Sequence, residues 1–113
     1  MNAVIIEDEK LNVAELKHLL NEVAPDIKVI DVLPSLKTSR KWIAENKEPD
    51  LFFMDIQLAD GVSFDIFEKV KIDKPVIFTT AYNEYAIRAF KVNSVDYLLK
   101  PIDENELRAA IKK

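Results

Sequence analysis

The chain has 113 residues, 49% of them hydrophobic, enough for one domain around its own core and inconsistent with disorder as the main state. It has no cysteine, one histidine (His18) and one glycine (Gly61), which excludes disulfide frameworks, thiolate chemistry, His-rich metal clusters and glycine-rich phosphate loops. The balance of 16 basic to 20 acidic residues, a formal charge of −4, weighs against nucleic-acid binding by this chain, which needs a basic face to displace counterions.

The apolar runs are short, none approaching the roughly 18 residues of a membrane span, so the expected setting is the cytoplasm without membrane contact. Ala3-Val4-Ile5-Ile6 is the first strand candidate, followed by Leu11, Ala14, Leu16, Leu19, Leu20 and Val23 at helical recurrence. A second run covers residues 27–32, and a weaker helical pattern over 36–44 contains Trp42 and Ile43, read as helix–sheet packing. Leu51-Phe52-Phe53-Met54 is the third run, with another weak helix over 64–70. Val76-Ile77-Phe78 is the fourth, Ala86, Ile87 and Phe90 lie on one face of a further helix, and 95–99 is the fifth run. Asp103 and Glu106 stand at capping-box spacing ahead of Leu107, Ala110 and Ile111. The last helix is expected to be cut short at Lys112-Lys113.

Pro25 and Pro34 fall in connections, and Pro49 and Pro75 stand just before strands, where a missing N–H costs little. Most runs are continuous instead of alternating, as strands buried on both faces are. Right-handed crossovers then give an α/β fold, a doubly wound (βα)5 with a parallel sheet in the order 2-1-3-4-5, as one domain over residues 1–113.

In such a sheet, ligands bind beyond the carboxyl ends of the strands. The first strand ends in Glu7-Asp8, the third in Asp55, the fourth in Thr79-Thr80 and the fifth in Lys100-Pro101. Taken singly, each residue has a plain structural reading: Asp8 as a helix N-cap, Thr80 as a strand end, Lys100 as a solvated loop lysine. Together they form a pattern, because converging carboxylates repel and call for a cation, and Mg2+ takes one or two carboxylates while keeping several waters.

With no cysteine, and with His18 inside the first helix, Ser-His-Asp and Cys-His schemes lack a base. An aspartate can itself attack phosphorus and form an acyl phosphate while Mg2+ and a lysine neutralise the phosphoryl oxygens. Asp55 is the candidate acceptor. Glu7 and Asp8 would hold the metal directly or through water, Lys100 would pair with the phosphoryl group, and the Thr80 hydroxyl would donate to it.

These residues resemble the receiver domain of two-component response regulators: an acidic pair, the Asp, a Thr-Ala and a Lys-Pro, in order, across essentially the whole chain. The stretch Asp55-Ile56-Gln57-Leu58-Ala59-Asp60-Gly61, with Thr80-Ala81-Tyr82, Tyr85-Ala86, Ala89-Phe90 and Asp96-Tyr97-Leu98-Leu99-Lys100-Pro101-Ile102, looks like the LytTR subgroup. The resemblance implies a flavodoxin-like three-layer sandwich and a phosphoryl group taken by Asp55 from a sensor histidine kinase. It implies Mg2+ held by Asp8, Asp55 and the Gln57 backbone carbonyl, with Glu7 acting through water. It further implies a cis Lys100-Pro101 bond, Thr80 and Tyr97 as the switch pair, and Gln57 and Tyr82 as residues that tune the acyl-phosphate lifetime. Where many receivers carry a proline four residues after the acceptor, this chain has Ala59, which leaves the conformation of that loop open.

A C-terminal DNA-binding domain is expected in the full-length protein, so that DNA is met only through it. Homodimerisation is expected through the helix at Ala86-Ile87, the fifth strand and the last helix. Two other classes are weighed. A Mg2+-dependent aspartyl-phosphate phosphohydrolase would carry a second Asp where Gln57 stands, and a receiver-like module that binds without phosphorylation would have no need of every chemical position. The domain is therefore expected to be a self-phosphorylating and self-dephosphorylating signalling unit, not an enzyme acting on a separate substrate.

Overall fold

The computed structural model describes residues 1–81 and 96–112. The expected helix at Ala86, Ile87 and Phe90, together with Tyr82 and Tyr85, lies outside the described residues. Five parallel strands form the sheet: β1 (Asn2–Ile6), β2 (Lys28–Leu33), β3 (Leu51–Asp55), β6 (Val76–Thr80) and β7 (Asp96–Leu99), in the order β2-β1-β3-β6-β7. This is the predicted order, with β4 (Gln57–Leu58) and β5 (Gly61–Val62) set apart as an antiparallel hairpin. The helices are α1 (Lys10–Val23), α2 (Leu36–Glu45), a 3-10 turn over Ser63–Asp65 running into α3 (Ile66–Lys69), and α4 (Glu104–Lys112).

The continuous apolar runs are explained by two cores. Successive strand residues point to opposite faces, so Val4, Ile6, Phe52, Met54, Val76 and Phe78 meet Leu36, Ile43, Phe64 and Ile66 on one side. Ala3, Ile5, Leu51, Phe53 and Ile77 meet Leu16, Leu20, Leu107 and Ala110 on the other. β3 and β6 are buried along their full length, and each such large side chain contributes about 1.5 to 3 kcal/mol when removed from water. Trp42 packs half-buried against the first core, where Phe64 and Phe78 also meet edge-to-face at 5.1 Å between ring centroids.

Three sequence expectations are corrected. Leu11 is 70% exposed and Ala14 is also exposed; at about 100° per residue they lie with His18 on the face opposite Leu16 and Leu20. Val13 takes their place beside the core. β2 begins and ends one residue later than its apolar run and is largely solvated, because it is the edge of the sheet. A register shift between Ala3 and Val4 passes over Ile30, which is 41% exposed. The helix over 64–70 is a 3-10 turn and only four α residues.

Two helix starts are closed by side chains. Ser35 Oγ accepts from Thr38 N–H at 3.0 Å at the start of α2, and Asp103 Oδ2 accepts from Glu106 N–H at 3.0 Å at the start of α4. Removing such a cap costs about 1 kcal/mol.

Candidate functional site

Parallel strands place all their carboxyl ends on one edge, and the predicted residues arrive there from β1, β3, β6 and β7. Glu7 follows β1, its backbone N–H donating to Leu33 O at 3.0 Å. Asp55 is the last residue of β3, and Lys100 follows β7 with its N–H bonded to Thr80 O at 2.7 Å. The Lys100 ammonium donates to Glu7 Oε1 at 2.6 Å and to Asp55 Oδ2 at 3.0 Å. The second oxygens are held too: Asp55 Oδ1 accepts from Gln57 N–H at 3.3 Å, and Glu7 Oε2 from Glu9 N–H at 3.2 Å. Ligand oxygens of Glu7, Asp8 and Asp55 all lie within 4.8 Å of one another. Asp8 and Asp55 border an open cleft of about 330 Å³ that Asn12, Gln57 and Lys100 also line.

Charge in this cleft is unbalanced. Glu7 is 4% exposed and Asp55 6%, yet among the described residues the Lys100 ammonium bridges only these two while Asp8 adds a third carboxylate to the cluster. Two like charges about 5 Å apart repel by roughly 3 kcal/mol at an effective dielectric near 20. Burial, with a smaller contribution from the charge of Asp55, pushes the Glu7 carboxyl up to about 7 although Lys100 pulls the other way. Burial alone would lower the Lys100 ammonium, but its bonds to Glu7 and Asp55 outweigh this and hold it above the usual lysine range. The oxygen-only donor set, its close spacing and its excess negative charge fit a hard divalent cation such as Mg2+.

The other predicted residues are placed as follows. Thr80 ends β6, fully buried and in register with Leu99. Tyr97 is half-buried, in register with Phe78 and packed against the first core. Gln57 is exposed and opens β4. The Lys100-Pro101 peptide is cis. Tyr82 lies outside the described residues. Asp8 is not the N-cap of α1; that position is Glu9, without a side-chain cap bond.

Sequence reasoning missed Asp60. Its Oδ1 accepts from Leu36 N–H at 2.8 Å and its Oδ2 from Lys37 N–H at 3.2 Å, across the loop to the start of α2. The Leu36 N–H, with Lys37 N–H and Arg40 adding, holds the Asp60 carboxyl below the usual carboxylate range. An Asp-Gly pair favours a turn, a signal that could have drawn attention to Asp60, but nothing local points to its partner 24 positions away.

A family model described as the response regulator receiver domain matches residues 3–112. The chain belongs to the response regulator receiver family. The receiver is 36% identical over its whole length to the sensory transduction protein LytT of Bacillus anthracis, and 34% to the transcriptional regulatory protein LytR of Staphylococcus aureus. It spans about half the length of these curated relatives, 46% of each, and they support the LytTR-type likeness. Among solved structures, the response regulatory domain of mrkE from Klebsiella pneumoniae superposes with a TM-score of 0.84 at 29% identity, covering 99% of this chain and 93% of that one. The family is a signalling one. Among the described residues, no helix of the receiver is long and apolar enough to cross a membrane.

Proposed function

We propose that this receiver takes a phosphoryl group from a sensor histidine kinase onto Asp55 and thereby switches an output. The observation that carries the reading is the Lys100 ammonium held between Glu7 and Asp55, with Asp8 in the same cluster. An Asp55 oxygen would form the bond to phosphorus as the donor's bond to phosphorus breaks, leaving an acyl phosphate and the departing histidine. Lys100 would pair with the added phosphoryl oxygens and the Thr80 hydroxyl would donate to them. Mg2+, held by Asp8, Asp55 and the Gln57 carbonyl with Glu7 acting through water, would supply further neutralisation of those oxygens.

The added charge of about −1.5 to −2 favours one of two existing conformations. Thr80 and Tyr97 would be the pair that moves, Gln57 and Tyr82 would tune the acyl-phosphate lifetime, and the domain would both load and clear its own phosphoryl group. The chain as a whole is one receiver domain in this reading. The reading includes a C-terminal LytTR-type DNA-binding domain in the full-length protein, with transcription as the output and the cytoplasm as the setting; in its support, the relatives are about twice as long as this chain and one is named a transcriptional regulatory protein.

Incubation with a small-molecule phosphodonor and Mg2+ should add one phosphoryl group per chain by intact mass, and a chelator should prevent it. Continued release of phosphate with donor turnover would point instead to a phosphohydrolase, and no mass gain to an interaction module. Dimerisation through β7, α4 and the helix expected at Ala86-Ile87 belongs to the same reading. Sedimentation at high concentration should show a mass increase with a phosphoryl mimic; an unchanged mass would remove the dimer from it.

A further inference from the structure

The loop after Asp55 is tied to the molecule at both ends. At its base, Gln57 N–H meets Asp55 Oδ1, and Ser63 N–H donates to Ile56 O at 2.8 Å. At its tip, Asp60 receives the N–H groups of Leu36 and Lys37, while Ser35 Oγ takes that of Thr38. Asp60 and Ser35 thus divide between them the free donors of the first turn of α2, and a carboxylate is favoured there by the helix dipole. Gly61 adds a close approach: at φ +143° a Cβ would sit 2.8 Å from Leu36 Cδ1, so the hairpin lies directly on the start of α2.

The receiving helix is itself fixed, since Leu36, Ser39 and Ile43 are buried. The hairpin between has only two residue pairs, Gln57 with Val62 and Leu58 with Gly61. An isolated ladder so short holds no shape of its own. Its geometry comes from its anchors: Leu58 is buried in the first core and Val62 packs against it, while the charge-assisted anchor, at the tip, is Asp60.

We infer that Asp60 is a positioning residue for phosphoryl transfer: by pinning the hairpin tip to α2, it holds the Gln57 N–H against Asp55 and so orients the acceptor carboxylate. The inference rests on Asp55 as the acceptor. In the reaction tested, an Asp55 oxygen bonds to the phosphorus of acetyl phosphate, the donor's P–O bond breaks, and acetate leaves. Loosening the acceptor lowers the fraction of encounters in line for attack.

The experiment compares Asp60→Ala, Asp60→Asn and Ser35→Ala in the Mg2+-loaded protein, with acetyl phosphate labelling followed by intact mass and amide hydrogen exchange read at Gln57. Ser35→Ala is the control, since it weakens the same helix end without touching the hairpin. Asp60→Ala should label about three to ten times more slowly than wild type and exchange faster at Gln57. Asp60→Asn, whose amide oxygen can still accept one bond, should fall between. Ser35→Ala should label at the wild-type rate. Unchanged labelling in both Asp60 variants would overturn the inference, and so would equal slowing in Ser35→Ala, which would mean general loosening of α2. If wild type takes no label, the reading of Asp55 fails on its own, and Gln57 exchange still decides the clamp: faster exchange in Asp60→Ala supports it, no change refutes it.

Discussion

Asp55→Asn should accept no phosphoryl group under conditions that label the wild type completely, and should fold at least as well. The amide has no oxygen nucleophilic enough to replace the carboxylate toward phosphorus. Glu7 and Asp8 stand within 4.8 Å, so the variant also asks whether a neighbouring carboxylate can substitute. Glu7 is committed to Lys100 at 2.6 Å and to the Glu9 N–H, which leaves it poorly placed for attack. Stability is set by two opposed changes. Neutralising one of three clustered carboxylates removes a repulsion of roughly 3 kcal/mol per close pair, while the bond from Lys100 at 3.0 Å becomes an ordinary one. The expected balance is a gain of up to about 1 kcal/mol, seen as a small rise in melting temperature without Mg2+. Labelling at the wild-type level would mean that the acceptor lies elsewhere.

Lys100→Met should be strongly destabilising in the metal-free protein, and more so as pH rises. In wild type the Glu7 carboxyl sits at about 7 against an ordinary 4.5. A raised folded-state value means that the unfolded chain ionises first. The stability that protonated Glu7 contributes is fully present below pH 4.5, falls through the interval and is gone above about 7. Without Lys100, Glu7 loses the bond that lowers its pKa, keeps its proton to higher pH, and the decline continues beyond 7. At pH 5 the substitution should therefore cost about 1 kcal/mol, from the lost partner of Asp55. At pH 8 it should cost roughly 3 kcal/mol, since each further pH unit below the new value adds about 1.4 kcal/mol and breaking such a pair leaves buried charge uncompensated. Urea unfolding at the two pH values measures this, and Glu7→Gln in the same background should remove most of the pH dependence. An equal cost at both values would show that Glu7 does not carry the charge imbalance.

Much of this protein was legible residue by residue. Phe52, Phe53, Ile77 and Phe78 stand in unbroken apolar runs, which strands covered on both faces require, so the layered α/β arrangement followed. Because parallel strands share one end, the sequence alone assigns Glu7, Asp8, Asp55, Thr80 and Lys100 to a common edge. Both inferences use information local to a strand and its terminus. The rest needed contacts between segments far apart. Leu11 and Leu16 are equally apolar, and only the seating of α1 on the sheet buries one and leaves the other 70% exposed. Ile30 is solvated because β2 ends the sheet, a property of its position that its side chain does not carry. An Asp-Gly pair favours a turn, yet what Asp60 grips is the start of α2, 24 positions earlier. Composition and period determined which segments form and which edge carries the chemistry, because those follow from local burial and chain direction. Tertiary structure alone decided which helix face turns inward, where the acceptor loop is anchored and how one ammonium is shared between two carboxylates, because each depends on the relative placement of distant backbone groups.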